Sequence, residues 1–220
     1  MDSQILGLLA QGIGETFYMV VVSTVAAYVI GIPLGVLLYV TAEDGILPNK
    51  VIYAIFSFVI NVVRSVPFLI LVVAILPFTR KVVGTTIGST ATIVPLVVAA
   101  APFVARMVES SLKEVDAGVI EAAKAMGSTN WQIIRKVLIP EARPSLLIGM
   151  TISFATILGY SAMAGFVGGG GLGAIAVNYG YYRYQVDVML ITVAILVLIV
   201  QIFQEGGMRL VDKIDRRKKL

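Results

Sequence analysis

The sequence has no cysteine and no histidine. Those two absences remove disulfides, thiol nucleophiles, imidazole bases and Cys/His zinc sites together. Charge is scarce as well: 14% of the 220 residues are charged against 58% hydrophobic, and the mean hydropathy is +0.94. Soluble domains carry about a quarter charged residues. No lysine follows a glycine, so there is no G-x-x-x-x-G-K-[ST] loop and no P-loop for ATP. No Asp or Glu stands in the middle of an apolar run, which disfavours a proton relay, although sodium held by backbone carbonyls stays open. A cleavable leader is not expected, because Asp2 and Glu15 stand where a basic region would be needed.

What is present is a series of long apolar runs. About 20 apolar residues cross the hydrocarbon of a bilayer. On that rule the chain is an all-α integral membrane protein with five transmembrane helices, near 17–40, 51–78, 82–105, 144–164 and 186–204. An N-terminal segment 1–16, a polar loop 106–143 and a basic tail 205–220 complete it. Gly31 and Gly35 have the small-xxx-small spacing that lets helices approach closely. Pro95 and Pro102 read as kinks in the third span.

Arg64 is the lone charge inside a span. It either faces a polar path or a partner's carboxylate, or it snorkels to the headgroups. Asn61, Arg64, Ser65, Tyr160, Ser161 and Met163 are the candidates for lining a path; each also reads as helix packing or backbone bonding. Gly168 to Gly173 matches G-x-G-x-x-G by letter, but no strand precedes it and no acidic residue follows at the required distance. It reads as a flexible hinge or a close-packing loop at the outer mouth. Tyr179, Tyr181 and Tyr182 after it suit a membrane–water boundary. No metal site is expected.

Five spans put the termini on opposite sides. Thirteen basic residues then fall on the side of the polar loop and tail, and three (Arg80, Lys81 and Arg183) on the other. The positive-inside rule places loop and tail in the cytoplasm and the N-terminus outside. The net charge of +4 is this asymmetry and not a nucleic-acid footprint. Five helices make a poor pathway alone, and a symmetric homodimer is the common way to supply the other wall.

The polar loop has internal punctuation. Asp116 caps a helix from about 117 to 126, which Gly127 ends in the left-handed conformation. Thr129 and Gln132 have capping-box spacing and start a second helix, broken by Pro140. Ala122 and Ala123 leave backbone close to the surface for another protein to approach, with Glu121 and Lys124 beside them. Taken alone, these residues fit a docking element and an ordinary interfacial helix equally.

The spacing Glu121-Ala122-Ala123, three residues, Gly127, nine residues, then Val137, Ile139 and Pro140 resembles the EAA loop of ABC importer permeases. The stretches VGTTIGSTATIVPLVVAAAPFVARMVE, GYSAMAGFVGGGGLG and NVVRSVPF are similar to the permease subunits of methionine transporters. The resemblance covers nearly the whole chain. Val137 and Ile139 depart mildly from the commoner Ile and Leu. It implies a type I ABC importer permease fold in a bacterial inner membrane, and a non-catalytic subunit acting as a homodimer. It also implies two ATPase subunits that bind ATP and magnesium, and an extracytoplasmic protein delivering D- or L-methionine. Glu121, Ala122, Ala123, Lys124, Gly127 and Pro140 would then carry coupling to the ATPase. No cofactor in this chain is implied. An ion-coupled carrier, a transport of another small solute and a scaffold that only recruits a partner are the rival readings.

Overall fold

The computed structural model describes residues 3–214; Asp2 and the last six residues of the expected basic tail lie outside them. Every regular element among the described residues is helical. The first, α1, runs from Ser3 to Thr41 without a break. The expected N-terminal segment is therefore the opening turns of the same helix. At about 1.5 Å per residue it is nearly twice as long as the hydrocarbon is thick.

The expected second span is three helices: α2 (Lys50–Ser65), α3 (Phe68–Ala74) and α4 (Leu76–Val83). Asn49 caps α2, accepting from the Ile52 N–H at 3.0 Å. The chain turns by 101° between α2 and α3. Pro67 causes the turn, because proline pushes its predecessor out of helical conformation; Val66 has φ −78° and ψ 124°. Gly84, with φ +84°, ends α4. The third span, α5, is Ser89–Lys113, which starts seven residues and ends eight residues later than the expected window. Pro95 and Pro102 sit inside it without ending it.

Beyond the polar loop, α9 (Arg143–Ala164) matches the expected fourth span. A single tight turn, a short α10 (Gly171–Ile175) and a wide turn over Ala176–Tyr181 follow it before α11 (Val186–Ile214). Among the described residues, four helices are long and apolar enough to cross a membrane, five if the bent α2–α3 pair counts as one.

The core is centred on α1 against α5. Met19, Leu96, Val104, Leu112, Ile157 and Leu172 are fully or almost fully buried. Hydrophobic expulsion from water does not hold helices together in lipid, so close packing must. A Cβ on Gly31 would lie 2.6 Å from Val104 Cγ1, and one on Gly35 would lie 2.6 Å from the Ala105 carbonyl oxygen. Both glycines are needed for this approach. Gly35→Val should destabilise the protein by about 3 kcal/mol, the upper range for overpacking. Gly14→Ala, on the same helix with nothing within 4 Å, is the control. Thermal unfolding in detergent should show a lower Tm for the first alone; equal Tm values would refute the contact.

Candidate coupling surface and polar face

Residues 114–142 form a compact helix pair at the end of α5. The Gly118 N–H donates to Asp116 Oδ1 at 2.7 Å, capping α6 (Ala117–Ala125). Gly127 has φ +77°; its N–H donates to the Lys124 carbonyl at 2.9 Å, and that of Ser128 to the Ala123 carbonyl at 3.1 Å. This double bond with a left-handed glycine is the Schellman ending. No atom lies within 4 Å of a Cβ built on Gly127, so its demand is conformational and not steric. The capping box also forms: the Gln132 N–H donates to Thr129 Oγ1 at 3.3 Å, and the Thr129 N–H to Gln132 Oε1 at 2.8 Å. It opens α7 (Asn130–Ile133).

Pro140 does not break the chain as expected. A wide turn over Ile134–Leu138, in which the Ile139 N–H donates to the Ile134 carbonyl, leads into α8 (Ile139–Glu141) and on to α9. The extra residue in this turn admits a proline, which has no N–H to give.

The EAA triplet splits between two faces. Glu121, Ala122 and Lys124 are exposed, but Ala123 is 2% exposed and packs inward with Ile120 and Ile133 in the core. The expectation that both alanines face a partner is corrected accordingly: Ala122 alone leaves open backbone, and Ala123 seats the helix. Met126 is 79% exposed and Trp131 67% exposed, on either side of Gly127. Neither was read as a candidate, although Trp131 is the chain's single tryptophan and stands in a polar segment. A cleft of about 600 Å³ lies beside α6, lined by Tyr39, Glu43, Tyr53, Lys113, Glu121 and Lys124.

A second polar region lies where α2 meets α5. Tyr53, Ser57, Asn61 and Ser65 recur every fourth residue and so share one face of α2. Opposite them is Glu109, which is 3% exposed. Its carboxylate receives Arg106 Nη1 at 2.7 Å, Lys113 Nζ at 2.8 Å and the Tyr53 hydroxyl at 3.2 Å. Arg106 Nη2 reaches across to Asn61 Oδ1 at 3.0 Å, and also donates to Ser57 Oγ. Such burial is tolerable because the charge is paired and its lone pairs are filled. Glu109 lies about one turn from the C-terminal end of α5. The signal was there in Arg106, Glu109 and Lys113 at helical spacing.

The candidate path residues divide. Asn61 belongs to this network, and Ser65 Oγ donates to the Asn61 carbonyl at 2.8 Å. Arg64 is exposed and lies 5.9 Å from the centre of the Phe103 ring. Tyr160 stacks on Phe68 at 4.6 Å between ring centres. Ser161 is buried and donates to the Leu158 carbonyl of its own helix at 2.8 Å. Met163 is exposed. The geometry joins Asn61, Arg64 and Ser65 on one element and turns Ser161 into the core.

A helical bundle with four or five apolar spans among the described residues, a capped helix pair at one end and a buried carboxylate tied up in ion pairs is a membrane transport subunit built to work with a partner. The chain belongs to the family of binding-protein-dependent transport system inner membrane components, which matches residues 31–219. It is thus a multi-pass inner-membrane protein and a non-catalytic permease subunit. It is 50% identical over 210 residues to the probable D-methionine transport system permease protein MetI of Vibrio cholerae serotype O1, over 96% of this chain and 93% of that one. It is 52% identical over 165 residues to the D-methionine transport system permease protein MetI of Escherichia coli K12, over 75% and 76% of the two chains. A solved chain of the methionine ABC transporter MetNI, in an inward-facing conformation, superposes with a TM-score of 0.96 at 50% identity, over 98% of this chain and 100% of that one. A chain of an amino acid ABC transporter matches with a TM-score of 0.79 at 22% identity, a likeness of fold.

Removing one partner of a buried ion pair strands the other. Glu109→Ala should cost about 3 kcal/mol, and adding Arg106→Ala should cost less than the sum of the two single changes. Unfolding of the four proteins in detergent measures this. Strict additivity would mean that the pair is not coupled.

Proposed function

We propose that the chain is the permease of an ABC importer for methionine. Two copies form a pathway with alternating access, driven by two copies of a separate ATPase and supplied by an extracytoplasmic binding protein. The observation that carries this reading is the likeness along almost the whole chain to a solved methionine transporter, at half the residues identical. The N-terminus lies outside and the C-terminus in the cytoplasm, which agrees with the thirteen-to-three bias of basic residues. The permease needs no cofactor of its own; ATP and magnesium sit in the partner.

Coupling starts at α6. The helix presents Glu121, Ala122 and Lys124, with Met126 and Trp131 as apolar anchors, to a groove on the ATPase. Gly127 and the capping box make the pair stiff, so that it moves as one piece. Only Glu114, Val115 and Asp116 separate α6 from α5, and the Arg106–Glu109 network ties α5 to α2. A push on α6 therefore reaches the α2 face that carries Asn61, Arg64 and Ser65, the residues we assign to the path. Tyr160 and Met163 are assigned to its wall. Ser161 keeps its place in the proposal as packing beneath that wall. Pro140 lets the chain continue from the helix pair into α9 through a widened turn.

Uptake of labelled methionine by vesicles holding permease, ATPase and binding protein tests the reading. Unlabelled methionine should compete, and vesicles lacking the ATPase should take up none. Competition by other amino acids but not by methionine would sink the substrate assignment. Gly127→Val places a branched side chain at positive φ, which costs about 1–2 kcal/mol. It should lower uptake about tenfold or more while ATP hydrolysis continues, as expected when a coupling element loses its geometry. Normal uptake by this variant would refute the role of the turn.

A further inference from the structure

Glu15 and the glycine-rich stretch play no part in the coupling surface or the α2 face, yet the fold binds them to each other. Glu15 lies on α1. Its Oε2 accepts from the Gly171 N–H at 2.7 Å and from the Ser89 hydroxyl at 3.0 Å; its Oε1 accepts from Gln11 Nε2 at 2.8 Å. Thr16 Oγ1 accepts from the Leu172 N–H at 2.9 Å and donates to the Gly12 carbonyl at 2.8 Å. Side chains of α1 thus take the first two N–H groups of α10, which have no partner within their own helix. Ser89 is the first residue of α5, and just before it the Gly88 N–H donates to the Gly168 carbonyl at 2.8 Å. One carboxylate joins α1, α5 and α10.

The surrounding backbone leaves no room for sliding. A Cβ on Gly170 would overlap Ser89 Oγ, and one on Gly173 would overlap the Ala162 carbonyl oxygen. A Cβ on Gly165 would lie 2.6 Å from the Ala174 nitrogen. Gly171 has φ +76°. These glycines are close-packing residues, so the hinge alternative for this stretch falls and the packing alternative stands. The clasp also sits at the end of α5 away from the coupling pair. With 25 residues in α5, that is a separation of about 36 Å along the helix.

We infer that Glu15 is a positioning residue for transport: its carboxylate locks α1, α5 and the glycine-rich turn into one body that stays shut through the cycle and serves as the pivot for motion driven at the far end of α5. Opening this seam would break three hydrogen bonds at once, those from the Gly171 N–H, the Ser89 hydroxyl and the Leu172 N–H. The inference rests on the alternating-access reading above.

The absence of cysteine makes the test clean, because an introduced pair has no competitor. A Cβ on Gly170 would lie 3.1 Å from Ser89 Cβ, a few tenths of an ångström short of the range of about 3.5–4.5 Å in disulfides, so the bond forms once the Gly170 backbone gives by that amount. Ser89→Cys with Gly170→Cys is therefore expected to cross-link on oxidation. In vesicles with ATPase and binding protein, oxidised and reduced forms should take up methionine within about twofold of each other. Uptake that stops on oxidation and returns on reduction would show a gate and overturn the pivot. Failure of the unaltered protein to take up methionine would count against the transport reading instead.

Glu15→Gln and Glu15→Ala form a second arm, which needs no tolerance of Cys at position 170. Glutamine keeps an oxygen for the Gly171 N–H and should retain most uptake. Alanine should cut uptake about tenfold or more, the size of a lost charged hydrogen bond, with ATP hydrolysis largely retained. A merely structural defect would lower both activities together. Wild-type uptake by the alanine variant, or a parallel loss of both activities, would overturn the assignment.

Discussion

The near-contact of two backbones, α1 at Gly31 and Gly35 against α5 at Ala101 to Val108, supports everything else in this molecule. A bilayer gives apolar helices little reason to prefer each other over lipid, so affinity has to come from surface fit. With α1 and α5 pressed together, α5 becomes a shaft with a distinct attachment at each end. Ser89 is tied to Glu15 at one end, and Arg106, Glu109 and Lys113 hold α2 near the other. The helix pair that follows Lys113 is an extension of that shaft. Force applied there has few places to go other than into α5.

Scarcity of charge shapes how the remaining charges are used. Glu109, deep in the protein, gathers two cations and a tyrosine hydroxyl, and Glu15 gathers three neutral donors. In a low-dielectric setting an unpaired charge is costly, so each must be surrounded by donors or be dispensed with. The same logic explains why Ser161 and Thr16 turn to helix carbonyls: a hydroxyl with no water nearby takes the acceptor at hand.

Much of this was legible in the residues. Gly31 and Gly35 pointed to close packing, Asp116 and Gly127 marked both ends of α6, and Thr129 with Gln132 announced the start of α7. All of these are local signals, complete within a few residues, and local signals survive folding. The misplaced features depend on distant partners. Windowing by hydropathy runs the second span on past Pro67, since both halves are equally apolar; the proline itself marks a kink, but not that the chain turns by 101° there. Ala123 reads like Ala122 until Ile120 and Ile133 are seen to pack beside it. The role of Glu15 needs Gly171, which is 156 positions away in the chain, and Glu109 needs Tyr53 on another helix.

The bend at Val66 and Pro67 has a consequence for where lipid can go. The last turn of any helix leaves carbonyls without partners inside it, and a proline just beyond offers no N–H. Acyl chains carry no donors, so a broken helix at membrane depth is tolerated only against protein or water. A corner such as that from Arg64 to Phe68, placed at membrane depth, has to face protein or water. The exposed Leu190, Val193, Val197, Leu198 and Ile202 of the unbroken α11 form the opposite kind of surface, one that fatty-acid tails can cover without leaving a backbone group unpaired.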